Sequence, residues 1–300
     1  MATVNSIKNQ IVKQGTNQGA TQVAPKTVQG LLNTPSVQER FKQVLGARTQ
    51  TFVASLLSLS NTMLQGVEAT SIISAGMIAS TLDLPINPNL GFAYIVPFNE
   101  KQQNGTYLKK AQFQIGYKGL IQLAIRTGQY QHINVIEIYE GQLKDYNPLY
   151  ETLDLDFKAK TSDNVIGYVA WFKLINGFEK TCYWSVEDVR QHAQKYSKTF
   201  KFGVWQKNFD SMAKKTVLKN TLSKWGILSI ELQRALMTDQ AVISNDVLNK
   251  DIDNLDSTDL NYIDNMDNEI IDVEIEEVNQ EMTDQLEGQL NVEDILQGSN

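Results

Sequence analysis

The sequence predicts an α+β protein, with a mostly antiparallel sheet flanked by N-terminal and C-terminal helices and a disordered acidic C-terminal tail. Three observations carry that prediction. Apolar residues recur at helical spacing between residues 34 and 84, at strand spacing between 92 and 184, and at helical spacing again from 185 to 240. Helices and strands are therefore grouped, not alternated as in a βαβ fold. Asn176-Gly177 lies between two strand-like runs, and this dipeptide is a strong two-residue hairpin signal.

Residues 1–33 are rich in Gln, Asn, Thr and Gly and read as a flexible polar arm. Thr34 suits an N-cap and Pro35 the first helical position. Phe41, Val44 and Leu45 then share a face. A second helix starts near Arg48, with Phe52, Leu56, Leu59 and Met63 spaced four, three and four apart. A third runs from about Ser71 to Leu82 and stops at Leu84-Pro85. Phe92 to Phe98 reads as a strand. Leu108 to Ile115 alternates, with Ala111, Phe113 and Ile115 on one side and Lys110, Gln112 and Gln114 outward. A short helix from Tyr117 to Arg126 closes on Thr127-Gly128. Gln131 to Tyr139 is the next strand, and Val165 to Ile175 and Phe178 to Trp184 form the hairpin. Ser185 and Asp188 match a capping box, opening helices at 185–196, 204–225 and 228–240. Three parts result: the arm 1–33, a single α+β body 34–245, and the tail 246–300.

The charge is split between body and tail. The whole chain is formally -7, yet residues 251–300 hold sixteen of its thirty-four acidic residues and no Lys or Arg. Residues 1–250 therefore carry 27 basic against 18 acidic residues, a net of +9. A basic body implies a polyanionic partner, and the acidic tail implies something that competes with that partner or regulates it.

Several chemistries lack their residues. No GxxxxGK[ST] run marks a P-loop. His132 and His192 stand sixty residues apart, and Cys182 is the only cysteine, so neither a cysteine-based metal cluster nor an internal disulfide is expected. Asp154, Asp156 and Lys158 in LDLDFKAK could serve a metal-dependent nuclease. The plainer reading is a strand with Leu153, Leu155 and Phe157 inward. A sequence-specific regulator would need a helix-turn-helix, and the helices around Gly226 superficially offer one. Its recognition helix, SIELQRALMTDQ, holds one Arg and is otherwise acidic or apolar, a poor match to a major groove. No stretch is apolar enough to span a membrane, and the N-terminus shows no signal-peptide run, so the expected location is the cytoplasm.

The richest stretch is 190–225. It holds nine basic residues (Arg190, Lys195, Lys198, Lys201, Lys207, Lys214, Lys215, Lys219 and Lys224) against one acid, Asp210, with Tyr196, Phe200, Phe202, Trp205, Phe209 and Trp225 interleaved. Lysines neutralise phosphates and release counterions, while rings stack on unpaired bases whatever their sequence. Trp205 and Phe209 fall on a core-like face with Met212 and Ala213, so Tyr196 and Phe200 are the better stacking candidates. Leu218 and Leu222 lie within the lysine arc, which implies that this surface touches something other than water. A second cluster comprises Lys109, Lys110, Gln112, Gln114, Lys118 and Arg126. Lys118 sits in the Gly116-to-Gly119 turn at a helix N-terminus, where free N–H groups favour a phosphate.

The runs FAYIVPF, QFQIGYKGLIQLAIRTGQY, NGFEKTCYW, HAQKYSKTF and FDSMAKKTVLKNTLSKWGILSIE occur in this order. Together they strongly resemble the RecT family of phage recombinases, over about residues 30–240. The resemblance implies an ATP-independent single-strand DNA annealing protein without bond-breaking catalysis. Such a protein would coat single-stranded DNA as a ring or filament of copies and hold the annealed duplex. It would need no cofactor, with magnesium at most a modulator. It would work in the bacterial host cytoplasm beside a phage 5′→3′ exonuclease or the host single-strand binding protein. The sheet, the Lys118 turn and the 190–225 helices are then expected to wall the DNA groove, with helices 34–84 or the arm joining subunits. The tail would either occupy that groove as a polyanion mimic or dock a partner.

Overall fold

One helix is buried almost all round, and the N-terminal half of the protein is built on it. Ala69–Thr81 (ATSIISAGMIAST) is composed of small and aliphatic residues, and every residue from Ser71 to Ser80 is buried. A helix that is apolar on all sides needs neighbours on all sides. The computed structural model describes residues 27–102, 104–197, 200–201, 204–239, 241–243 and 260–262, so residues 1–26 of the expected arm and 246–259 and 263–300 of the expected tail lie outside it. The helices in chain order are α1 (Val28–Leu32), α2 (Pro35–Leu45), α3 (Thr49–Asn61), α4 (Ala69–Thr81), α5 (Tyr117–Arg126), α6 (Val186–Tyr196), α7 (Val204–Lys207), α8 (Phe209–Trp225) and α9 (Ile230–Thr238). Helices α1, α2 and α3 pack on α4, and α4 packs on the hairpin of β1 (Ala93–Lys101) and β2 (Tyr107–Ile115).

The second half is a three-stranded antiparallel sheet in the order β3 (Tyr130–Tyr139), β6 (Val165–Leu174), β7 (Glu179–Ser185). Tyr168, Ala170, Phe172 and Leu174 of β6 are buried, and α8 and α6 lie against β6 and β7. Removing a side chain of that size from water contributes about 1.5–3 kcal/mol. The β6–β7 turn is Asn176-Gly177, with Gly177 at φ 89°, the left-handed conformation that the dipeptide supplies. Ser185 and Asp188 form the expected capping box at the start of α6. The α+β class, with antiparallel strands and helices on either side in sequence, is the fold observed.

The structure adds elements and moves residues. α1 forms within the stretch read as an arm, where the Thr27 side chain accepts from the Gly30 amide at 3.0 Å. The hairpin of β4 (Leu143–Asn147) and β5 (Thr152–Leu155) carries the LDLD run, while Phe157 is 59 % exposed instead of inward. Its position in a 3-10 turn, Phe157–Ala159, takes it off the strand alternation. Val44 is exposed although Phe41 and Leu45 are buried, because the buried stripe of α2 is narrow. The helix expected over 204–225 breaks at Asn208 into α7 and α8. Within the acidic segment, β9 (Leu260–Tyr262) pairs antiparallel with β8 (Ala241–Ile243), and β8 lies beside β2, α4 and α9.

The start of α5 is pressed against the backbone at Phe92, just before β1. The Gly116 amide donates to the Phe92 carbonyl at 2.9 Å, and a Cβ at Gly119 would stand 2.2 Å from the same oxygen. The turn glycines thus serve close packing. Gly119→Ala is expected to lower the unfolding free energy by about 1–3 kcal/mol, the range for overpacking. A urea midpoint indistinguishable from wild type would contradict this packing.

Candidate nucleic-acid interface

Helix α8 carries most of the basic residues, and its surroundings decide what each can do. Its inner side is covered, since it packs on β3, β6, β7 and α5. Leu218 and Leu222 are buried at 1 % and 0 % exposure. What they touch is the protein's own sheet and helices. Lys215 falls on this covered side and is buried, which corrects the expectation that it faces a ligand.

Lys215 is buried because it has a partner. Its Nζ donates to Asp239 Oδ1 at 2.9 Å, and Lys219 Nζ donates to Asp239 Oδ2 at 2.6 Å. The Ile115 backbone amide donates to Asp239 Oδ1 at 3.1 Å. Asp239 ends α9, and its side chain is 1 % exposed. Burial by itself would raise the Asp239 pKa, but the two ammonium groups outweigh it and hold the carboxyl below its ordinary value. Burial pulls the Lys215 pKa down, with Asp239 opposing that and Lys219 adding to it. Two cations on one carboxylate leave the cluster with a net positive charge. Lys219 is the member with access, at 33 % side-chain exposure.

Lys219 opens into a cleft of about 270 Å³ between α6 and α8. Tyr196 and His192 line it from α6, Trp205 closes it, and Thr216, Asn220, Ser223 and Ser197 supply hydroxyl and amide groups. Tyr196 is 56 % exposed, its ring 4.7 Å from His192, which in turn lies 5.2 Å from Trp184. Lys195 Nζ sits 5.1 Å from the centre of the Tyr196 ring. Burial, then the neighbouring Lys195, lower the His192 pKa, so the ring in this stack is neutral at pH 7. A partly exposed aromatic ladder beside surplus cations is the arrangement that holds unpaired bases and their phosphates.

The other expected residues are distributed unevenly around this cleft. Phe200 is half-buried against Trp205 at 6.1 Å, and Lys201 and Lys207 are exposed nearby in sequence. Lys198 lies outside the described residues. Lys214 is only 15 % exposed in its side chain. It donates to Glu137 at 2.6 Å, and its Nζ lies 5.0 Å from the Tyr117 ring. Lys118 is exposed at the start of α5, its stem against Gly91.

The β2 residues differ from expectation. Lys110 pairs with Glu100 at 2.7 Å, Lys109 and Gln114 are half-buried, and Gln112 is 7 % exposed instead of outward. Both faces of β2 are occupied there, so simple alternation fails. Arg126 donates to the Leu82 and Asp83 carbonyls, each at 2.8 Å, and so caps the C-terminal turn of α4. Asp156 caps its own turn by accepting from the Lys158 amide at 3.0 Å and also meets Lys144 at 3.4 Å.

Three important groups escaped the sequence. Asp239 and Glu137 look like ordinary surface acids, because nothing local marks a partner twenty or more residues away. His192 had a readable signal, since it stands four residues before Tyr196 on one helix face. Among the described residues, no group of three or more His, Cys, Asp or Glu side chains could hold a metal ion, and no helix is long and apolar enough to cross a membrane.

A helix-flanked antiparallel fold with a basic, aromatic cleft defines a candidate binder of polyanionic strands. A model of the RecT family matches residues 50–254, and the chain belongs to that family. The family places it in DNA recombination and single-strand annealing, and membership implies DNA binding and oligomerisation. It is similar to the uncharacterized protein YqaK of Bacillus subtilis (strain 168), 53 % identical over 239 residues, which cover 79 % of this chain and 80 % of that one. It is also similar to Protein RecT of Escherichia coli (strain K12), 29 % identical over 243 residues, covering 78 % and 87 %.

Removing the Asp239 charge leaves two neighbouring ammonium groups without it. Asp239→Asn keeps an acceptor for Ile115 and is expected to destabilise the protein by about 3–5 kcal/mol at pH 7. The sign with pH follows from the lowered carboxyl. Its contribution is complete above the ordinary carboxylate value near 4, as a rough figure, and is lost as pH falls through the lower folded-state value. Chemical denaturation from pH 7 to pH 2 should show a smaller acid loss in the variant than in wild type. Parallel curves would mean that Asp239 is not the group responsible.

Proposed function

We propose that this protein is an ATP-independent single-strand DNA annealing protein that binds its strand along the α6–α8 cleft and promotes strand exchange. The observation that carries the reading is the pairing of surplus positive charge at Lys219 and Lys195 with the exposed Tyr196 ring. Lysines take the phosphates and Tyr196 stacks on a base, so the grip ignores sequence. That suits annealing, in which the strand must pair with whatever complement arrives. One subunit would hold a few nucleotides weakly, and copies side by side would hold the strand firmly. Lys118, Lys201 and Lys207 would extend the basic surface towards neighbouring nucleotides, and the annealed duplex would stay on the same oligomer.

In this reading the body 34–245 binds DNA and self-associates, and 246–300 is a partner-binding or autoinhibitory segment. The protein needs no cofactor and breaks no bonds, and magnesium acts only as a modulator. Partners that fit are a phage 5′→3′ exonuclease, which supplies single strands, and the host single-strand binding protein, which covers them. The setting is the cytoplasm of the bacterial host.

The direct test mixes two complementary labelled oligonucleotides with the protein, without nucleotide, and follows the annealing rate. Acceleration over the protein-free rate is expected. Tyr196→Ala should weaken single-strand binding by about 1–3 kcal/mol, the range for one lost stack. Lys195→Ala should weaken it uniformly across sequences and reduce the salt slope by about one. Cleaved oligonucleotides, or annealing at the protein-free rate, would overturn the reading.

A further inference from the structure

We propose that residues 263–300 of this same chain occupy the α6–α8 cleft when no DNA is bound, and that a single strand must displace them. The inference rests on the DNA-binding reading of that cleft and adds the competitor. The register of β8 and β9 is the first observation. The strands are antiparallel, with Ala241 opposite Tyr262 and Ile243 opposite Leu260. The chain therefore returns along β9 to the start of β8, two residues beyond Asp239. Consecutive Cα atoms are about 3.8 Å apart and paired antiparallel residues about 5 Å, so Tyr262 lies within roughly 13 Å of Asp239. Asp239 forms part of the cleft lining beside Lys215 and Lys219. A few extended residues after Tyr262 suffice to reach it.

Charge complementarity is the second observation. Residues 263–300 carry twelve acidic and no basic residues. The cleft holds two ammonium groups against a single buried carboxylate, with Lys195 at its rim. Within the acidic segment, Ile271, Val273 and Ile275 alternate with Asp272, Glu274 and Glu276. An extended chain of that pattern presents carboxylates on one side and apolar groups on the other. The first suit Lys219 and Lys195, and the second suit the exposed Tyr196 ring. Tethering supplies the competitor at an effective concentration of about millimolar, so weak contacts are enough.

The test uses the full-length chain with all twelve acidic residues of 263–300 changed to Asn or Gln, beside a variant in which 263–300 is scrambled at constant composition. Binding of a fluorescein-labelled oligo-dT is measured by anisotropy from low to high salt. The neutralised chain should bind about tenfold tighter at low salt, with the gap closing as salt screens the contact. The scrambled chain should stay within about threefold of wild type, since charge carries most of the effect. Carbodiimide crosslinking without DNA should join Lys195 to an acidic residue of 263–300, and oligo-dT should suppress that product. Equal affinity of wild-type and neutralised chains at every salt concentration would overturn the inference. So would a crosslink that DNA leaves unchanged, or no such crosslink without DNA, the latter being the result expected if the segment serves only to dock another protein. If neither form binds oligo-dT, the DNA-binding reading of the cleft falls, and the competitor with it.

Discussion

The carboxylate of Asp239 is the constraint on which the arrangement depends. It accepts from Lys215, Lys219 and the Ile115 amide, and so ties α8 and the end of α9 to the open edge of β2. Further along that edge two more backbone groups are paired. The Glu68 amide donates to the Lys109 carbonyl at 2.8 Å, and the Ser71 hydroxyl accepts from the Ala111 amide at 2.8 Å. An uncovered edge would pair with other chains. A buried ion pair is weak evidence for stability, because desolvation offsets much of its attraction. Its effect here is positional: it sets where α8 lies and therefore which lysines reach solvent.

That placement changes the meaning of the lysine count. Lys214 is drawn to Glu137 and Tyr117, Lys215 is enclosed, and Lys219 reaches the cleft while still paired. Lys180, outside the expected set, pairs with Glu151 and lies 4.0 Å over the Trp225 ring. The described basic residues of 190–225 thus include an internal pair, Lys214 and Lys215, that positions α8, and ones with access to solvent, of which Lys219 and Lys195 stand at the cleft. In the proposed reading, attraction for a strand would come from the whole +9 body and local grip from the few cations with access.

The aromatic residues divide in the same way. Trp205 is buried and packs on Phe209 at 5.5 Å, whereas Tyr196 stands exposed on a ladder through His192 to Trp184. A ring held at its base by packed neighbours loses little freedom when a nucleobase stacks on it. Tyr168, fully buried, donates its hydroxyl to Asp210 at 2.5 Å and anchors the first turn of α8 to the sheet. Burial, then the Asp210 hydrogen bond and charge, push the Tyr168 pKa up, so it remains a donor throughout the physiological range.

What is local can be read from the residues alone. The helical and strand periods, the Ser185 capping box, the Asn176-Gly177 turn and the burial of Trp205 all follow from residues within a few positions of one another. The RecT motifs, which are contiguous runs, were legible for the same reason. What joins distant positions emerges only when the elements pack. Lys215 and Lys219 have the same spacing as solvent-facing lysines, and only the arrival of Asp239 from the next helix makes one internal and leaves the other at a cleft. Gln112 alternates like an outward residue, yet β2 is covered on both faces, so alternation carries no information there. Side-chain period reports which way a residue points from its own element, and partner and solvent are fixed only when the elements pack.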